Sequence, residues 1–194
     1  WLAKMLSFSG VWDVHEPFAP LKKRWPEYFS YRRPGEVDAK VDALFEDATG
    51  GRFADASGLP NCDHPLMPLR LLRPSSARVL VKDPLACLLA EYLATRFQLR
   101  SLVLFRHPAS FASSVSRLGW PRAPFLRQFL ADPRLMQDHL EPFRTLIARY
   151  SSEDTVASAA VLYGALNTVL WKFVESGQAT ALHFETLGRD PIGE

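Results

Sequence analysis

The chain is short of cysteine, of long apolar runs and of charge imbalance, and each shortage removes a class of protein. Two cysteines, Cys62 and Cys87, in 194 residues do not make a disulfide framework, so a packed core has to hold the fold. Cys87 lies in an apolar helical pattern and reads as a small core residue. A reducing compartment is the default, which makes the cytoplasm the expected location. No apolar run approaches the ~20 residues of a membrane-spanning helix and no signal peptide is visible, so no membrane span is expected. Lysine and arginine total 23 against 21 acidic residues, a formal charge of +2. That is too little to argue for nucleic acid or a membrane surface as partner. No Gly-x-Ser-x-Gly elbow and no Gly-x-Gly-x-x-Gly loop is present. Cys62 and His64 are too isolated for zinc and no helix carries a histidine pair, so no metal is expected.

What remains is ordinary for a soluble globular protein: 47% apolar and 23% charged residues, long enough for a proper core. There are no internal repeats, no low-complexity segments and no linker that splits the chain, so residues 1–194 read as a single domain. Trp1 to Phe8 already has helical spacing, with Trp1, Leu2, Met5 and Leu6 on one face and no N-cap before them. The chain is therefore expected to be a fragment that begins inside an element. Val11 to Val14 reads as a short strand, left at Glu16-Pro17. Glu36 to Ala48 and, more weakly, Pro65 to Leu72 read as helices. Arg78 to Lys82 and Leu102 to Phe105 read as buried strands flanking a helix over Leu85 to Phe97. That is a βαβ unit with a parallel sheet, its two polar turns on one edge. Helices are expected over 125–131, 134–150 and 154–176. In the last, Val156, Ala160, Tyr163, Asn167, Leu170 and Val174 form the apolar face. Thr180 to Phe184 is a final strand.

One stretch organises the rest: Ser101 to Trp120, a strand, a sharp turn and a helix. Arg106 falls at the carboxyl end of the strand, beside a helix N-terminus opened by Pro108. Free backbone N–H groups and the helix dipole favour anions there, and arginine adds a planar fork that suits phosphate. Ser110 and Ser114, four apart, share one helix face. Farther upstream, Ala19 to Pro34 mixes Lys22, Lys23, Arg24, Arg32 and Arg33 with Trp25, Tyr28, Phe29 and Tyr31. Such a loop suits stacking on an acceptor sugar, a solvated structural role or, least of all, single-stranded nucleic acid.

Arg106-His107-Pro108 followed by Ser114 resembles the 3′-phosphate-binding motif of sulfotransferases that use 3′-phosphoadenosine-5′-phosphosulfate (PAPS). The resemblance extends along most of the chain. Val14-His15-Glu16-Pro17-Phe18 is similar to the turn that carries the catalytic base in glycan-modifying members. Val81-Lys82-Asp83-Pro84 is similar to the turn whose lysine assists the reaction. Phe184-Glu185-Thr186-Leu187 resembles a late acidic-aromatic motif. The resemblance implies a three-layer α/β/α, P-loop NTPase-like fold with a short parallel sheet, incomplete at both ends. It implies PAPS as co-substrate, without a metal, and a small-molecule or glycan hydroxyl as acceptor. Arg106 and Ser114 would hold the 3′-phosphate, and Trp1 and Tyr163 would contact the adenine. Glu16 would be the base and Lys82 would stabilise charge; His15 is the second candidate for the base. Pro84 stands where the cytosolic small-molecule members carry a catalytic histidine, which excludes that version of the mechanism. The family's phosphosulfate-binding loop, expected just before Trp1, and its late basic loop are missing, so weak activity is expected of the chain as it stands. Two other functions stay open: a non-catalytic nucleotide-binding or scaffolding domain, and a P-loop nucleotide kinase with Asp83 as its magnesium-binding carboxylate. Oligomeric state is not legible.

Overall fold

The computed structural model describes residues 2–6, 11–19, 27–50 and 78–189. The described residues are mixed α/β, with two small sheets of two parallel strands each. It divides into two compact units, Trp1–Tyr28 with Val37–Ala86, and Phe29–Glu36 with Cys87–Glu194. The weak helix expected over 65–72, Cys62, His64 and Trp1 lie outside the described residues.

In the first unit, β1 (Val11–His15) pairs with β2 (Arg78–Lys82), in register from Val11 opposite Arg78 to His15 opposite Lys82. Trp12 and Val14 are buried while the residues between them are half-buried, the period-two alternation of a strand with one face on a core. A short helix, α1 (Leu2–Leu6), packs beside β2. Helix α2 (Ala39–Thr49) starts three residues later than its apolar pattern suggests. Asp38, in extended conformation, accepts the N–H groups of Lys40 and Val41 and so fixes the first turn. Val41, Leu44, Phe45 and Ala48 are its buried stripe, at the spacing of one helical face.

The helix expected over 85–97 is two elements, a 3-10 turn at Pro84–Leu89 and α3 (Ala90–Phe97). The Asp83 carboxylate takes the Leu85 N–H at 2.9 Å, which favours a tight turn before the α-helical pattern is established.

In the second unit, β3 (Ser101–Phe105) pairs with β4 (Ala179–His183). The expected pairing of 78–82 with 102–105 is not found: each of those strands has its parallel partner within its own unit. A strand of four or five apolar residues carries no record of its neighbour, so the sequence left the pairing undetermined. Nor is β3 buried on both faces. Val103 and Phe105 pack with Ala94 of α3 and Phe173, whereas Leu102 and Leu104 are 49% and 39% exposed. Helix α4 (Pro108–Arg117) follows β3 and ends before Gly119, whose φ of +64° suits glycine. After it come α5 (Ala123–Ala131) and the turn α6 (Pro133–Leu135).

The single helix expected over 134–150 is interrupted. A π-helical turn, Met136–Leu140, and a 3-10 turn, Glu141–Phe143, precede α7 (Arg144–Arg149). Pro142 is the cause. It has no N–H to give to the Asp138 carbonyl four residues back, and its ring crowds that position. The Glu141 N–H reaches five residues back to Met136 instead. The Asp138 carbonyl that is left over accepts from Lys172 Nζ at 3.0 Å.

Helix α8 (Val156–Glu175) is the spine of this unit and packs against α4, α5, α7, β3 and β4. Thr155 and Ser158 form a reciprocal capping box at its start. Its buried face is Ser158, Ala159, Leu162, Ala165, Leu166, Val169 and Phe173. That is not the face read from the sequence: Val156 is 71% exposed and Ala160 is also exposed. The helix is apolar nearly all round, so periodicity does not single out the stripe. By length and composition α8 is long and apolar enough to cross a membrane, contrary to the expectation that no segment comes near. Its buried face belongs to the core of this unit.

Phe29 to Glu36 is tied to the second unit. Phe29 meets Phe125 edge-on at 5.0 Å. The Arg33 fork engages both Asp138 oxygens, at 2.6 and 2.9 Å. Tyr31, buried, donates its hydroxyl to Asp138 at 2.9 Å and lies 3.0 Å from His139 Nε2. Phe29 and Tyr31 are buried, whereas Arg33, paired with Asp138, keeps 38% of its side chain exposed; residues 20–26 lie outside the described residues. Because an ionised Asp138 can only accept, the Tyr31 proton points to it. His139 Nε2 must then be the donor to the phenol oxygen, which leaves Nδ1 as a bare, buried nitrogen without a partner among the described residues. A second proton on that ring would have no acceptor. Burial, with Lys172 nearby, pushes the His139 pKa below its ordinary 6.5. The unfolded chain therefore binds more protons than the native one below that value, and this contribution to stability fades as pH falls through 6.5. The denaturant midpoint should drop more between pH 7.5 and 5.5 in the wild type than in His139→Gln, which keeps a donor for Tyr31 and cannot titrate.

Candidate functional site

In the first unit the parallel register brings the carboxyl ends of β1 and β2 side by side, His15 opposite Lys82. The Glu16 N–H extends the ladder by one bond, to the Lys82 carbonyl at 2.7 Å. Glu16 then turns sharply, with φ at +49°, a left-handed conformation that L-residues other than Asn and Asp adopt at a cost. The turn swings the side chain back over the strand ends. There Oε1 forms an ion pair with Lys82 Nζ and lies 3.3 Å from His15 Nε2. Glu16 is half-buried, with 26% of its side chain exposed, enough to be reached by an incoming hydroxyl. Thus Glu16, His15 and Lys82 are brought together.

Asp83 is the brace behind them. Its carboxylate accepts the Phe18 N–H at 2.7 Å as well as that of Leu85, locking the two strand-end turns to each other. Burial pushes its pKa up while these backbone donors pull it down, and burial prevails. Both oxygens are engaged by backbone, which suits a structural role. The Phe18 side chain is buried.

The strain at Glu16 is a testable quantity. Glycine takes this conformation without penalty, so Glu16→Gly should be more stable than Glu16→Ala by about 1 kcal/mol, read as thermal midpoints. A site where glycine would serve the backbone better, yet glutamate stands, is one where the side chain has work to do.

In the second unit a separate constellation surrounds Arg106, at the end of β3. Tyr163 of α8 donates its hydroxyl to the Arg106 carbonyl at 2.7 Å, and its ring leans on Phe111 with centroids 5.5 Å apart. Burial, with Glu185 nearby, raises the Tyr163 pKa. The next backbone N–H, that of His107, goes to Glu185 Oε1 at 2.9 Å, which holds the Glu185 carboxyl below its ordinary range, helped by Arg106 and His107. The Arg106 guanidinium lies over the Phe184 ring, 5.0 Å from its centroid. Phe184 and Glu185 open α9 (Phe184–Arg189). The last strand accordingly ends at His183, one residue earlier than expected.

The helix N-terminus here is not an open anion site. His107 N–H is taken by Glu185, and Pro108 has none. Ala109 N–H goes to the His107 ring at 3.2 Å, and those of Ser110 and Phe111 to the His107 carbonyl. The expectation of free backbone donors beside Arg106 is corrected on this point: the first turn of α4 is capped from within. Anion affinity at this corner must come from the guanidinium and from hydroxyls. The Ser110 and Ser114 side chains, both half-buried on α4, make no hydrogen bond to another described residue.

Trp1 lies outside the described residues. Asp83, offered by the sequence as a magnesium-binding carboxylate, and Glu185, read there only as part of the late acidic-aromatic motif, both accept backbone N–H groups at the two corners. Among the described residues no cluster of three or more His, Cys, Asp or Glu side chains has the placement of a metal centre. Comparison with known proteins returns no match, whether to a family model, a curated protein or a solved structure.

Proposed function

We propose that the chain is a PAPS-dependent sulfotransferase domain that moves a sulfuryl group to a hydroxyl, with a saccharide as the favoured acceptor. The fold assigned with it is a three-layer, P-loop-like one, and the location the cytoplasm. The acceptor oxygen attacks sulfur, the bond from sulfur to the 5′-phosphate oxygen breaks, adenosine 3′,5′-diphosphate leaves, and the hydroxyl proton passes to Glu16. Such in-line transfers ask the protein for placement and charge more than for covalent chemistry. Lys82, paired with Glu16, supplies positive charge for the transferring group. Arg106 and Ser114 take the 3′-phosphate, and Tyr163 fixes the backbone of Arg106.

One observation carries the proposal: a carboxylate held in a costly backbone conformation, paired to a lysine, at the ends of two parallel strands. The test is calorimetry with 3′,5′-diphosphoadenosine beside a sulfuryl-transfer assay. Arg106→Ala should weaken binding of the diphosphate about 10–100-fold, the worth of one charged hydrogen-bonding group at ~1.5–3 kcal/mol. Unchanged binding in that variant overturns the phosphate assignment. Tight binding with no transfer to any hydroxyl would favour the non-catalytic nucleotide-binding domain.

A further inference from the structure

Arg106 presents a long, exposed side chain with no ion pair or hydrogen bond through its guanidinium among the described residues. A free arginine samples many rotamers, and a ligand that needs it in one place must freeze them. Here neighbours fix the backbone at its base, and one of them meets its head. Tyr163 fixes the Arg106 carbonyl and Glu185 the following N–H. The Phe184 ring lies beneath the guanidinium at 5.0 Å. A planar cation on an aromatic face is attracted to the ring and keeps its in-plane donors pointing outward. Phe184 is 36% exposed, more than a core aromatic would be, and its neighbour Glu185 is anchored to the same corner.

We propose that Phe184 is a positioning residue for the anion site, its ring holding the Arg106 guanidinium ready for a phosphate group without touching the ligand. This rests on Arg106 being the phosphate-binding residue. The ring leaves the five donors free, where a carboxylate in its place would occupy two of them.

The test uses the full chain with 3′,5′-diphosphoadenosine as probe. Phe184→Leu keeps apolar bulk and removes the π-face; Phe184→Trp keeps the face. Phe184→Leu should bind two- to fivefold more weakly, and Phe184→Trp at least as tightly as wild type, with thermal midpoints unchanged in both. Equal affinity for Phe184→Leu and wild type, or no recovery with tryptophan, overturns the proposal. A second readout needs no ligand. The Arg106 side-chain protons should carry an upfield ring-current shift in wild type and Phe184→Trp that is lost in Phe184→Leu; its absence in wild type also overturns the proposal. If Arg106→Ala binds as well as wild type, or wild type does not bind, the phosphate assignment of Arg106 is what fails. The resonance shift still reports whether Phe184 orders that side chain.

Discussion

Glu16→Gln is expected to lower sulfuryl transfer by about 10²–10⁴-fold, the usual contribution of a general base, while 3′,5′-diphosphoadenosine binds as in wild type. Glutamine has the same shape, accepts from Lys82 and can keep the left-handed turn, so the strand ends should not rearrange. What it lacks is the ability to take a proton. The carboxylate is well placed for that task. Oε1 faces Lys82 and His15, while Oε2 makes no hydrogen bond to another described residue, leaving it able to meet a hydroxyl. The companion variants separate the roles. His15→Gln should retain most of the activity if Glu16 is the base and lose it if the imidazole is. Lys82→Ala should lower the rate without restoring activity to Glu16→Gln. Full activity in Glu16→Gln would remove the base assignment.

The second large effect is on stability. Leu162→Ala should destabilise the second unit by about 2–5 kcal/mol, a large part of the ~5–15 kcal/mol that a domain has. Leu162 is fully buried on the face of α8 that meets the other elements of its unit. Val156→Ala, on a residue 71% exposed, should change stability by less than about 0.5 kcal/mol. Chemical denaturation of the two variants decides which face of α8 is the core face. Helical periodicity alone had put Val156 on it, so the opposite outcome would restore that face and discard the packing described above.

Both effects follow from how much of the molecule is visible before folding. Arg78–Lys82 and Ser101–Phe105 were legible as strands because short apolar runs with polar ends have few other stable states. The Pro108 helix start, the stop near Gly119 and the breaks around Pro133 follow from single residues with restricted or permissive backbones. Pro142 carried the same kind of signal, since a missing N–H inside a helical pattern foretells an interruption. The meeting of His15, Glu16 and Lys82 was only half legible. The residue types were suggestive, but 66 positions separate Glu16 from Lys82, and no local rule joins them.

The amino-acid sequence by itself determined roughly where most of the described elements lie, and which turns carry the charged side chains, because those features depend on neighbours within about one helical turn. Tertiary structure alone decided which strands pair, which stripe of an all-round apolar helix is inward, and that Glu185 closes the helix N-terminus beside Arg106. These depend on contacts between residues far apart in the chain, where many partners of similar size and polarity are available and only the packed whole selects one.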